Sequence, residues 1–528
     1  MDFELPYVSC RRPVLGANIV ATSQPLAAQA GVRMFLKGGN AVDAAVAAAI
    51  ALTVVEPTMN GIGSDAFALV WDGEQLHGLN ASGRSPAAWT PDHFAGLAEV
   101  PSTGWQAVSV PGAVSGWIEL SRAFGILRFE DLFEPAIEYA RNGFPVSPVV
   151  AATWAEAAGK YKAFPSFVST FLPGGRAPKV GEWFTAPDHA RTLGELADTF
   201  CESFYRGRLA REIARWSRET GGLLTEEDLA AHRPEWVEPL QMAFGDHVLH
   251  EIPPNSQGVA ALLALGMLRH ADIGHASPDA PEATCLAVAA MKRSLELTRA
   301  EVADPVWMRW PVERLLDPTR LEVEAEVAML NAGPGNQLAR ERRKNDDTVY
   351  LATADESGMM VSLIQSNYFD FGSGLVVPGT GISLHSRAAC FSLEPGHPNV
   401  VAGGKRPFHT LCPAFVTSCG RPVMSFGVMG GPMQPQGHLQ VFLHTCAAGR
   451  NPQAAIDAPR WYVDVDGTVV IEQGYDDAAV AALVRTGFNV QVMPYGSPLF
   501  GGGQAIHVLE RGYCAGSDPR KDGQAVAL

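Results

Sequence analysis

Thr348 stands where a polar stretch gives way to a strand-like run. The stretch 331–347 (NAGPGNQLARERRKNDD) is rich in Gly, Pro, Asn and charge and reads as an exposed linker. After it, Thr348–Ala354 (TVYLATA) reads as a strand, Asp355–Gly358 as a turn and Met359–Gln365 as a second strand. A hydroxyl is a poor nucleophile at neutral pH and needs an adjacent base. Cutting the Asp347–Thr348 bond would create one, because a free α-amine has a pKa of about 7.7–8.0 and can take the hydroxyl proton. The same hydroxyl could make that cut by attacking the carbonyl of Asp347. Taken alone, Thr348 could equally be an ordinary edge-strand threonine.

The remaining sequence narrows the chemistry. There is no GxSxG, no HExxH and no GxGxxG opening a helix, and Gly403-Gly404-Lys405-Arg406 lacks the flanking residues of a phosphate-binding loop. No metal or organic cofactor is indicated. The formal charge is −16, with 40 basic and 56 acidic residues, which disfavours nucleic acid and anionic membranes as partners. The first residues lack a basic segment followed by an apolar one, so no secretion signal is expected. The eight cysteines show no CxxC and no paired spacing, which points to reduced thiols in a cytoplasm.

These residues must be carried by regular elements. The Ala-rich segment Gly39–Leu52 should be a core helix, too short and too interrupted by charge to span a bilayer. Ala66–Trp71 should be a strand, Phe129–Asn142 an amphipathic helix stopped by Gly143, and Pro281–Leu297 a further helix. Thr225 and Asp228 have the spacing of a capping box.

From Asp347 to about Arg460 the chain resembles the γ-glutamyltranspeptidase family of N-terminal nucleophile hydrolases. The resemblance rests on Asp347-Thr348-Val349-Tyr350, Phe371-Gly372-Ser373-Gly374, Pro378-Gly379-Thr380-Gly381-Ile382, Gly404-Lys405-Arg406-Pro407 and Met429-Gly430-Gly431, in the family's order. Earlier segments agree: GGNAVDAAVA (Gly38–Ala47), EPTMNGIG (Glu56–Gly63), SVPGAVSGW (Ser109–Trp117) and PPNSQG (Pro253–Gly258). The resemblance implies a four-layer αββα sandwich forming one intertwined α/β unit. It implies self-cleavage into residues 1–347 and 348–528, which stay associated as a heterodimer, with a dimer of heterodimers left open. Thr348 then falls on the family's nucleophile and Ser366 on the hydroxyl that supports its amine. Gly430 and Gly431 fall on the paired glycines whose N–H groups form the oxyanion hole, where the lack of a Cβ permits close backbone approach.

Departures from the family's pattern concern substrate recognition. Its arginine for the substrate α-carboxylate aligns with Ser82, with Arg84 two residues on. Its aspartate for the α-ammonium aligns with Cys390, and a thiol cannot replace that carboxylate. Its paired serines become His409 and Thr410, and its asparagine falls on Tyr368, beside Asn367. The expected substrate is therefore a small amide bearing a carboxylate but no α-ammonium, such as oxamate. Arg84 is the candidate anion anchor and His409 a candidate donor, with Thr410, Asn367 and Tyr368 in the same pocket. The bland alternatives are a surface ion pair for Arg84 and a structural histidine for His409. The rival activities are an ordinary glutathione hydrolase or γ-glutamyltransferase, and a scaffold that binds without cutting.

Overall fold

The computed structural model describes residues 11–270, 277–331 and 346–528, with the backbone alone at Asp346 and Asp347. Most of the expected linker 331–347 therefore lies outside the described residues.

Two seven-stranded antiparallel sheets dominate. The first runs in the order Gln524–Ala527, Ile19–Thr22, Asp346–Ala354, Met360–Phe369, Asp65–Trp71, Leu76–Ala81, Glu235–Val237. The second runs Val14–Gly16, Tyr513–Ser517, Gly502–Val508, Arg421–Met429, Ala414–Ser418, His247–Glu251, Leu240–Phe244. Side chains alternate between the faces of a strand, and the sequence uses that period. Tyr350, Ala352 and Ala354 face Phe415, Met429 and Ile506 of the opposite sheet. Val349 and Leu351, one step out of phase, pack with the helix Ala41–Val55. The outer face of the second sheet is covered by Val259–Leu268, Pro281–Glu301 and Met433–Phe442. The architecture is therefore αββα, as the resemblance implied.

Local signals placed the expected helices within a few residues. Ala41–Val55 is buried along its whole length, as its composition predicts. It starts two residues later than expected because Asn40 is the N-cap: its side chain accepts from the Val42 and Asp43 N–H groups, while Asp43 accepts from the Asn40 N–H. The segment from Phe129 divides into a 3-10 turn, Phe129–Phe133, and an α-helix, Glu134–Asn142, with a proline in the helix's first turn. Gly143 ends it at φ +87°, the conformation glycine takes without strain. Thr225 and Asp228 form the expected capping box. No described helix is long and apolar enough to cross a membrane.

Candidate active site

Thr348 lies on the strand Asp346–Ala354, hydrogen-bonded to its hairpin partner Met360–Phe369. The register is Asp347 with Tyr368 and then Val349 with Gln365, so Thr348 alone faces the two residues Ser366 and Asn367. This bulge brings two side chains to bear on one position. The Thr348 hydroxyl donates to Ser366 Oγ at 3.2 Å, and Ser366 Oγ also accepts from the Tyr368 N–H at 2.7 Å. Thr348 and Ser366 are both buried.

Gly430 and Gly431 follow the strand Arg421–Met429 and precede the helix Met433–Phe442. Their φ angles, +119° and +51°, lie in the region that glycine tolerates best. Their carbonyls accept from the Met433 and Gln434 N–H groups, which turns them toward the helix and makes their own N–H groups candidate oxyanion donors. Gln257 braces this turn by donating from Nε2 to the carbonyls of Gly431, at 2.8 Å, and Thr410, at 2.6 Å. On the other side Gly501 packs against it with φ +68°, and a Cβ there would overlap the Met429 carbonyl oxygen. Gly501→Ala is expected to displace the turn and lower kcat by roughly 10²-fold, the usual cost of one lost oxyanion donor. Steady-state kinetics on protein with an unchanged far-ultraviolet spectrum would check this.

A cavity of about 370 Å³ adjoins this region, lined by Gln257, Tyr368, Cys390, Thr410 and Pro432 together with apolar side chains such as Phe391 and Phe408. Tyr368 and Thr410 are thus brought together as expected, and so is Cys390. Three other expectations need correction. The Arg84 guanidinium pairs with Asp304 at 2.8 Å and Glu235 at 3.6 Å and lines a different cavity with Arg406 and Asp228. Asn367 does not line the cavity, because its side chain accepts from Ser64 Oγ at 2.9 Å and donates to Ser383 Oγ at 3.2 Å, tying two loops together. His409 has no ring nitrogen left for a substrate. Its Nδ1 accepts from the Leu411 N–H at 3.2 Å, and Nε2 donates to Asp65 Oδ2 at 3.1 Å. Burial, reinforced by the nearby Arg387 charge, holds its imidazole well below the usual range and so neutral. Burial also pushes Asp65 up to about 7, against the pull of Arg387 and two backbone N–H groups.

Sequence reasoning missed Gln257, Asp65 and Arg387. Arg387 stands on a 3-10 turn, Arg387–Cys390, and is wholly buried. Its Nη1 donates to Thr410 Oγ1 at 2.7 Å, and its guanidinium lies 4.3 Å from the centre of the Tyr368 ring. The only available signal was a cation within the otherwise uncharged run Gly381–Cys390. Among the described residues one trio has metal-ligand composition: Glu251, Cys412 and His438, whose ligand atoms lie within 4.8 Å of one another. His438 Nδ1 already bonds Glu251 at 2.7 Å, and burial keeps the Cys412 thiol protonated, so the trio reads as a hydrogen-bonded core cluster.

Residues 27–528 match the γ-glutamyltranspeptidase family. The chain belongs to that family. It is similar to the glutathione hydrolase-like YwrD proenzyme of Bacillus subtilis, 36% identical over 98% of this chain and 100% of the relative. It is also similar to the oxamate amidohydrolase proenzyme of Klebsiella pneumoniae, 35% identical over 95% of this chain and 96% of the relative. Among solved structures, the cephalosporin acylase of Bacillus halodurans superimposes with a TM-score of 0.95 at 44% identity, covering 100% of this chain and 99% of the acylase. As a member of the γ-glutamyltranspeptidase family, the protein is an amide hydrolase of the N-terminal nucleophile class.

Proposed function

We propose that the enzyme cleaves itself between Asp347 and Thr348 and then hydrolyses amides whose acyl group carries a carboxylate and no α-ammonium. Thr348 Oγ attacks the amide carbon, and the Thr348 amine takes the hydroxyl proton and passes it to the leaving amine. The Gly430 and Gly431 N–H groups receive the oxyanion, Ser366 holds the nucleophile, and water releases the acyl group.

One observation carries the substrate reading: among the described residues, no Asp or Glu lines the cavity beside Thr410 and Pro432. A substrate ammonium placed there would lose its hydration with no carboxylate in return, and truncating such a buried charge pair costs about 2–5 kcal/mol. The oxamate amidohydrolase among its relatives supports the same reading, and oxamate is its smallest embodiment. A second reading, glutathione hydrolase or γ-glutamyltransferase, is favoured by the name of the Bacillus subtilis relative. Offering processed enzyme oxamate and γ-glutamyl-p-nitroanilide side by side separates the two. We expect turnover of oxamate, and faster turnover of the γ-glutamyl compound would overturn the proposal.

A further inference from the structure

We propose that Arg387 is the residue that recognises the substrate's carboxylate, gripping it through the free edge of its guanidinium. This rests on the functional reading above and deepens it by naming the chemical group that the site selects. A guanidinium stays charged in a protein, so burying one without an anionic partner is costly. Arg387 is buried, yet it makes no contact ion pair with any described residue. Its charge acts on Asp65, whose oxygens are already taken by the N–H groups of Gly83 and Gly112 and by His409.

Its donors are divided in a telling way. Nη1 is spent on Thr410 and lies 3.8 Å from Cys390 Sγ. Nε and Nη2 have no partner among the described residues. Those two nitrogens share one edge of the guanidinium and present parallel N–H bonds, which matches the two oxygens of a carboxylate. Three side chains against its guanidinium, those of Tyr368, Cys390 and Thr410, line the cavity beside the Gly430-Gly431 turn. Tyr368 stacks on the guanidinium face and fixes its plane, which sets the direction of the free edge. The preferred acyl donor is therefore one whose acyl chain ends in a carboxylate.

The test compares glutaryl-p-nitroanilide with butyryl-p-nitroanilide, which share a four-carbon chain and differ in the terminal carboxylate. Processed wild type is expected to prefer the glutaryl compound by roughly 10²-fold in kcat/KM. In Arg387→Gln that ratio should collapse toward one, in line with the cost of truncating a buried charge pair. Arg387→Lys keeps the charge but loses the fork and should lower the ratio by about tenfold. It provides the same reading if the glutamine variant fails to fold. A ratio that survives either substitution overturns the assignment of Arg387 while leaving the functional reading intact. Wild type that turns over γ-glutamyl-p-nitroanilide faster than the glutaryl compound overturns the functional reading itself.

Discussion

Thr348→Ala protein is expected to migrate on a denaturing gel as one chain of 528 residues, where wild type should give pieces of 347 and 181. The substitution removes the only hydroxyl that can reach the Asp347 carbonyl from within its own residue. It also prevents release of the α-amine, since that amine exists only after the cut. Nucleophile and base are therefore lost together, and activity should fall by on the order of 10⁴–10⁶, the scale seen when a covalent nucleophile is deleted. The fold should not suffer. Among the described residues the deleted hydroxyl makes one hydrogen bond, to Ser366, and the strand pairing around the bulge uses backbone groups. A circular dichroism spectrum matching wild type, with a single uncut band, is the expected result. N-terminal sequencing of the smaller wild-type piece gives the stricter check: a first residue other than Thr348 would end the mechanism.

Acid is expected to unfold the protein below about pH 5. Burial depresses His189 and His250 to about 4 and His232 and His385 to about 3, with His409 also held well below its usual range. Each folded-state value lies below the unfolded one near 6.5, so the unfolded chain binds protons that the native state refuses. The stability contributed by keeping these rings neutral is fully present above pH 6.5 and is lost as pH falls toward 4. Each ring contributes about 1.4 kcal/mol per pH unit in that window. Three fully buried carboxyls oppose this, Glu251 among them, raised by its burial. Glu56 and Asp65, both raised to about 7 by burial, hold protons in the native state that the unfolded chain releases, so their effect improves as pH falls from 7 toward 4. Asp457, half-buried and raised to about 6, adds a smaller, solvent-screened part to the same side. With His444, also depressed to about 4 by burial, six rings against three fully buried carboxyls leave a net loss of roughly 3–4 kcal/mol per pH unit. Since domains are stable by only about 5–15 kcal/mol, about two pH units suffice for a domain in the lower half of that range. Ellipticity followed from pH 7 to 4 should fall cooperatively, and His250→Gln should flatten the slope by about 1.4 kcal/mol per unit. Unchanged ellipticity at pH 4 would refute the account.

What could be read from the sequence was local. Thr348, Ser366 and the Gly430-Gly431 pair sit in short motifs whose order identifies a chemistry, and the structure places Ser366 against Thr348 through a bulge of one hairpin. The helix Ala41–Val55, the capping box at Thr225 and the stop at Gly143 depend on neighbours a few residues away, so composition and spacing were enough. The pairing of strands was not legible in that way. Ile19–Thr22 lies between Asp346–Ala354 and Gln524–Ala527, and nothing local links those three segments. The sandwich was reached only through resemblance.

The recognition pocket was decided by tertiary structure alone. Arg84 carries a suitable charge for an anion anchor, but its partner Asp304 is 220 residues away in sequence and draws the side chain elsewhere. His409 is occupied by Asp65, 344 residues distant. Arg387, unmarked by any motif, is set apart by its burial and by two guanidinium nitrogens without partners among the described residues. A side chain's charge and hydrogen-bonding capacity are fixed by its type, and the sequence states them. Whether that capacity is already spent depends on which distant residues the fold brings within about 3 Å, and only packed coordinates contain that information.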